Sequence, residues 1–325
     1  MVSSRWRPPA AAASDWPVLP AEEWGETLAA LHLWTQVVGK IRLVCGPWLN
    51  HSWGVTLYVT SRGLGTSLVP YGGRGFEIDF DFGDDRLRVT STTGGVAEVE
   101  LASMSVAAFH AQALDAMARL GMPVEINPVP NEIPDAVPFP EDTRERRYDP
   151  DNARDLWGAL VQAHRVLTRF RAGYLGKVSP VHLFWGAFDL AVTRFSGRLA
   201  PEHPGGMPNL PDDVAREAYS HEVTSCGFWP GNASAPTPIF YAYAYPTPEG
   251  FSDARIEPGA AFWLSELGEF AVPYEAVRSA ADPDATLLAF LETTHDAAAS
   301  LAGWDRPLLE CTAPAGPDWW FDRAT

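Results

Sequence analysis

A chain of 325 residues accommodates one large domain or two ordinary ones, and 46% hydrophobic with 20% charged residues is the composition of a folded globular protein. A net charge of −17 argues against nucleic acid and against an anionic membrane surface as partners, and no apolar run reaches the length of a membrane span. Cys45, Cys226 and Cys311 are odd in number and far apart, which excludes a disulfide framework and fits a reducing cytoplasm.

Residues 1–20 are rich in Pro and Ala and lack an apolar signal core, so they are expected as a loose leader. A helix is expected from about Ala21, because Trp24, Leu28, Leu31, Thr35 and Val38 fall on one face of a 3.6-residue period. Ile41–Val44 stands apart from it, followed by the corner Pro47–Trp53 and a strand over Val55–Thr60. Phe76, Ile78, Phe80 and Phe82 alternate with Glu77, Asp79 and Asp81, the pattern of a half-buried strand with a solvated acidic face. Gly83-Asp84-Asp85 turns into Arg86–Thr92, and Gly94-Gly95 turns into Val96–Leu101. A helix over about Ser105–Leu120 stops at Gly121.

Residues 122–150, with Pro123, Pro128, Pro130, Pro134, Pro138 and Pro140 among them, read as an extended crossover. The pattern then restarts. Asp151 or Asn152 caps a helix in which Leu156, Leu160, Ala163, Leu167 and Phe170 repeat the first helix's spacing. Gly176–Arg198 follows as one strand-like run and twins Gly39–Leu64: each opens with Gly-Lys, carries Trp-Gly, and ends in a basic Gly turn. An insertion, 201–238, has no counterpart in the first half. Ile239, Tyr241, Tyr243 and Tyr245 share one strand face, with Phe240, Ala242 and Ala244 on the other. Short strands at Phe262–Leu264 and Glu269–Val272 precede a helix that Asp282-Pro283 opens. The expected fold is α+β, an internally duplicated unit of antiparallel strands flanked by helices, with repeats at 21–121 and 151–306 in a pseudo-twofold arrangement. Residues 307–325 form a tail whose Trp319-Trp320-Phe321 is expected to dock on a surface.

Gly39–Arg42, Pro47–Trp53, Phe184–Arg198, Tyr219–Gly231 (YSHEVTSCGFWPG) and Phe240–Pro246 together resemble the uncharacterised bacterial family DUF5996. The resemblance covers nearly the whole chain. It implies one architecture and brings no activity, cofactor or catalytic residue with it.

Candidate chemistry concentrates in the second half. Asp189 sits among Phe184, Trp185, Phe188, Leu190 and Val192, so its carboxylate needs a partner or a raised pKa. Arg194 or Arg198 is the expected partner, and a structural ion pair is the competing reading. His182, His221 and Glu222 join Asp189 as candidate catalytic groups. His182, His203 and His221 lack HExxH or any regular spacing, so no metal is assigned. Cys226 as a nucleophile is disfavoured on a strand. Asn50, His51 and Trp53 stand on the irregular corner, while Trp185, Trp229, Tyr241 and Tyr243 offer an aromatic lining. Two functions follow. The first is a cytoplasmic enzyme acting on a small, anionic metabolite held by Arg194 in a pocket near the inter-repeat seam. The second is a non-catalytic binding or interaction module with an aromatic surface. They separate on whether the polar groups converge in a cleft. Reaction, cofactor and oligomeric state stay open.

Overall fold

The computed structural model describes residues 12–19 and 24–311. The leader through Ala11 and the Trp319–Phe321 tail lie outside these residues. The first half holds α1 (Gly25–Cys45), the short strands β1 (Tyr58–Val59), β2 (Gly63–Gly65) and β3 (Val69–Tyr71), and the longer β4 (Arg74–Asp81), β5 (Arg86–Ser91) and β6 (Val96–Glu100). Next come β7 (Met104–Ser105), α2 (Val106–Arg119) and, in the crossover, β8 (Glu145–Arg146). The second half holds α3 (Pro150–Ala172), β9 (His182–Phe184), β10 (Asp189–Leu199), α4 (Asp212–Ala218), β11 (His221–Trp229) and β12 (Ile239–Tyr245). It finishes with β13 (Phe262–Leu264), β14 (Glu269–Pro273), α5 (Tyr274–Arg278), α6 (Pro283–Leu301) and α7 (Arg306–Leu309).

The fold is α+β with antiparallel sheets. One six-stranded sheet runs β1-β2-β4-β5-β6, with β3 also on β4; the other runs β13-β14-β12-β11-β10-β9. They meet edge to edge where Leu57 and Leu183 exchange two backbone hydrogen bonds of 2.9 and 2.7 Å. The main apolar core runs through both halves, from Trp34, Phe80 and Phe109 to Phe170, Phe228 and Phe290. None of the described helices is long and apolar enough to cross a membrane.

Local signals explain most elements. Ser105 and Asp282 cap α2 and α6 by accepting hydrogen bonds from Ala108 N and Ala285 N. The cap of α3 is Asp149, followed by Pro150 at the first helical position; Asp151 and Asn152 are instead the residues whose N–H groups it accepts. Ile41–Val44 is not a separate segment but the last turns of α1. Ile41 is buried against the core, and only Gly46 and Pro47 end the helix. The acidic face of β4 is not uniformly solvated: Asp81 is buried and ion-paired with Arg62 and Arg88.

Gly176–Arg198 is a hairpin rather than one run, because Trp185–Phe188 turns β9 into β10. The twin landmarks occupy different places. Gly39-Lys40 lies inside α1 and Gly176-Lys177 in a loop; Trp53 precedes β1 and Trp185 follows β9. Each half nevertheless meets the other's landmark. Lys40 lies over the Trp185 ring at 5.7 Å, and Lys177 lies over the Trp53 ring at 5.3 Å. Gly39 makes the first contact possible, since a Cβ there would run into the Trp185 indole.

The 201–238 segment is an insertion only in part. Its first portion lies outside the second sheet, with Pro201 and His203 against Tyr245 and α4 against Trp48 and His51 of the corner, whereas β11 is a central strand of that sheet.

Candidate functional site

The second sheet has two unlike faces, set by strand parity. Leu190, Val192, Phe228, Cys226, Phe240, Ala242 and Val272 point to α3 and α6 and belong to the main core. Tyr241, Ile239 and Ala271 pack with Trp229 and Tyr243 on the opposite face. That face is covered by loops. Glu132 N donates to Pro208 O, Asn209 Nδ2 donates to Ile133 O, and Tyr245 Oη donates to Pro201 O. His203 stacks on Tyr219 at 4.6 Å, and Tyr219 Oη meets Tyr243 Oη at 2.9 Å.

Asp189 lies at the start of β10 under this cover. It is 8% exposed, and the Tyr241 hydroxyl donates to its Oδ2. Burial lifts its pKa to about 6 against the pull of that hydrogen bond. Glu132 and Glu269 are half-buried neighbours. Burial, then the Asp189 charge, pushes each of them up to about 7. Tyr219 rises to about 12, chiefly by burial and then by these carboxylates against the Tyr243 hydrogen bond. Asp189, Glu132 and Glu269 form no ion pair among the described residues, so the face is a carboxyl–tyrosine site without its own cation.

Glu132 is delivered from the crossover by polar side chains of α1. Gln36 both donates to Asn131 O (3.0 Å) and accepts from Asn131 N (2.8 Å), and Lys40 Nζ donates to Asn131 Oδ1 at 2.5 Å. Glu132 takes a left-handed backbone (φ 60), and its carboxylate rests on Gly186, where a Cβ would collide with it.

The structure scatters the predicted site residues over separate networks. Asp189, Tyr241, Tyr243 and Trp229 share the tyrosine face, where Trp229 Nε1 donates to Ala187 O. Arg194 is not the partner of Asp189. Five residues further along β10 it points to the other face, where its guanidinium stacks on Phe170 at 3.4 Å and donates to Phe170 O. Thr224, across the ladder from it, meets His295 Nδ1 at 2.8 Å, and His295 Nε2 meets Glu310 at 3.2 Å. Arg198 is not the partner either, because it pairs with Glu222 at 2.7 Å near the surface and donates to Ala302 O. That pair removes Glu222 from any shared centre.

His182 is fully buried, with Thr56 Oγ1 on Nδ1 at 3.1 Å. Burial, and then Arg42 and Arg171, depress it to about 3, so it is neutral. Trp185 is a seam residue whose Nε1 donates to Val55 O. Asn50 is exposed on the corner, where its backbone carbonyl accepts from Trp53 N.

His51, Trp53 and His221 do come together: the His51 ring lies 5.4 Å from Trp53 and 6.2 Å from His221. Lys177, Glu132, Tyr219 and Glu269 complete these two groupings and were not among the candidates. Lys177 entered only as a landmark and Glu132 only as part of a Pro-rich crossover. Neither position carries a local pattern that marks it.

Among the described residues no group of His, Cys, Asp and Glu is arranged to hold a metal ion. The sequence profile of DUF5996, described as a family of unknown function, matches residues 16–311. No protein of curated function and no solved structure matches the chain.

Proposed function

Because this chain belongs to DUF5996, a family with no assigned activity, we propose from the geometry that it is a binding protein for a small amine-bearing, cationic metabolite, seated on the tyrosine-lined face of the second sheet. The carrying observation is Asp189, a buried carboxylate whose side-chain partner is a tyrosine hydroxyl rather than a cation. Glu132 and Glu269 add negative charge at the same face, and Tyr219, Tyr241 and Tyr243 add ring faces that attract a cation. Arg194, the group that favoured an anionic metabolite, serves the opposite face. The non-catalytic reading is preferred because none of His182, His221 and Glu222 reaches Asp189: His182 meets Thr56, His221 lies beside His51, and Glu222 pairs with Arg198.

A protonated amine would draw the three carboxyl groups into their charged forms. Binding therefore releases protons near pH 6 and strengthens as pH rises through about 7. A thermal-shift panel of amines, sugars and organic acids tests this, with titration calorimetry in two buffers of different ionisation heat to count protons. Stabilisation by amines that Asp189→Asn abolishes is the expected result. A response confined to organic acids, or one that survives Asp189→Asn, overturns it.

One observation favours an enzyme: a carboxyl group poised near pH 6 beside a tyrosine hydroxyl suits proton transfer. That reading requires turnover of an amine ligand, with a rate that follows the ionisation of Asp189. Two further readings belong with the proposal. The cytoplasm is the proposed compartment, supported by three unpaired cysteines. Duplication is the proposed origin of the two halves, supported by the reciprocal Lys40–Trp185 and Lys177–Trp53 contacts.

A further inference from the structure

Of 24 basic residues in the chain only two are lysines, Lys40 and Lys177. Lys177 sits in the loop between α3 and β9. Its residue is exposed, yet its Nζ is drawn in over the rings of Phe195 (4.8 Å) and Trp53 (5.3 Å). There it meets His51 Nε2 at 2.5 Å.

The other His51 nitrogen, Nδ1, lies 3.0 Å from Ala218 O at the end of α4. A carbonyl only accepts, so Nδ1 carries the proton and Nε2 presents a lone pair to Lys177. Amine, base and an orienting carbonyl thus form one hydrogen-bonded chain, the arrangement that activates a nucleophile. The backbone at this point is strained. His51 and Ser52 are consecutive non-glycine residues at φ 58 and 60, each costing on the order of 1 kcal/mol and kept only where the surroundings impose them. Burial lowers the pKa values of both Lys177 and His51.

Two further titratable groups face the pair. Glu217 of α4 accepts from Trp48 Nε1 at 2.5 Å. His221 holds Ser220 Oγ on Nδ1 at 3.1 Å and has no hydrogen-bond partner on Nε2 among the described residues.

We propose that Lys177 is a carbonyl-condensing amine, forming an imine with small aldehydes or ketones while His51 serves as its proton acceptor. The ammonium proton passes to His51 Nε2, and the freed lone pair attacks the carbonyl carbon. A C–N bond forms as the C–O π bond opens to a hydroxyl. Loss of that hydroxyl as water, with the proton returned by His51, leaves the protonated imine. The balance is ammonium plus carbonyl to iminium plus water, with no redox partner. This site does not depend on the amine-binding reading. It lies on the Ala218 side of the end of α4, whereas Tyr219 on the next position serves the carboxyl–tyrosine face.

The test treats the full chain with pyridoxal 5′-phosphate and, separately, with the uncharged salicylaldehyde, traps the imine with borohydride, and locates it by peptide mass spectrometry. Lys177 is expected to label at least about tenfold faster at pH 7 than the free amine of Nα-acetyl-lysine amide, with Lys40 as a buried internal control. His51→Asn removes the ring while Asn tolerates the left-handed backbone. It is expected to slow Lys177 to the rate of the free amine and to move its pH–rate profile upward. Labelling of wild-type Lys177 no faster than the free amine overturns the proposal without reference to any variant. Labelling of a folded His51→Asn protein at the wild-type rate overturns the role of His51.

Discussion

Asp189 and Arg194 lie on the same strand, and each is a charge taken out of water: 8% and 4% exposed. The sequence invites pairing them. An offset of five along a strand forbids it, since side chains alternate faces and an odd offset puts the two on opposite sides. The two faces then solve the same problem differently. Arg194 keeps its charge by stacking on Phe170 and Tyr174 and donating to Phe170 O. Asp189 accepts a hydroxyl from Tyr241 and moves its titration to about 6. The aromatic side is a structural solution, closed by packing. The carboxyl side leaves negative charge that no cation among the described residues meets, which is why the candidate site belongs there.

The largest effect expected from breaking this contrast is at Arg194. Arg194→Ala opens a void between the Phe170 and Tyr174 rings and should cost roughly 3–5 kcal/mol, measured as a denaturant midpoint. Arg194→Met refills the volume and should cost clearly less. Equal costs for the two would mean that the charge, rather than the packing, holds this face together.

Next in size is the pH response of Asp189. Its folded pKa lies above the unfolded value, so the contribution of Asp189 to stability is fully present below about pH 4 and is lost as pH rises through about 6. A rise of that size bounds the loss at roughly 3 kcal/mol. Glu132 and Glu269 act with the same sign and extend the loss to about pH 7. Asp189→Asn should therefore match wild type at pH 4 and exceed it in stability at pH 8. A variant weaker than wild type at pH 8 would point to an unseen counter-charge.

Tyr241→Phe removes the hydroxyl that holds the carboxylate. A cost of about 1–2 kcal/mol is expected at pH 8 and a smaller one at pH 4, where the neutral acid needs the donor less. Equal costs at both pH values would assign the effect to packing.

The smallest expected number sharpens the comparison most. The coupling between Arg194→Met and Asp189→Asn in a double-mutant cycle should fall within about 0.5 kcal/mol of zero, because the two groups share no partner. A coupling above about 1 kcal/mol would restore the ion pair that strand parity excludes.

By itself the sequence determined the elements that local physics controls. The 3.6-residue stripes of α1 and α3, the alternation of β4 and β12, the Gly83–Asp85 and Gly94-Gly95 turns and the Asp282-Pro283 helix start were all legible, because each is a relation between near neighbours in the chain. Even the sorting of Phe240, Ala242 and Ala244 from Tyr241 and Tyr243 was legible, because parity is local. Tertiary structure decided which faces meet. Ile41–Val44 joined α1 because the core it enters is built from strands far along the chain. Glu132 reached Asp189, 57 positions away, only because Gln36 and Lys40 hold the crossover against the second half and Gly186 leaves room for the carboxylate. His51 met Lys177 across 126 positions. No period or spacing encodes such a meeting, since it depends on how two sheets join at Leu57 and Leu183 and on which loops that junction leaves to cover the tyrosine face.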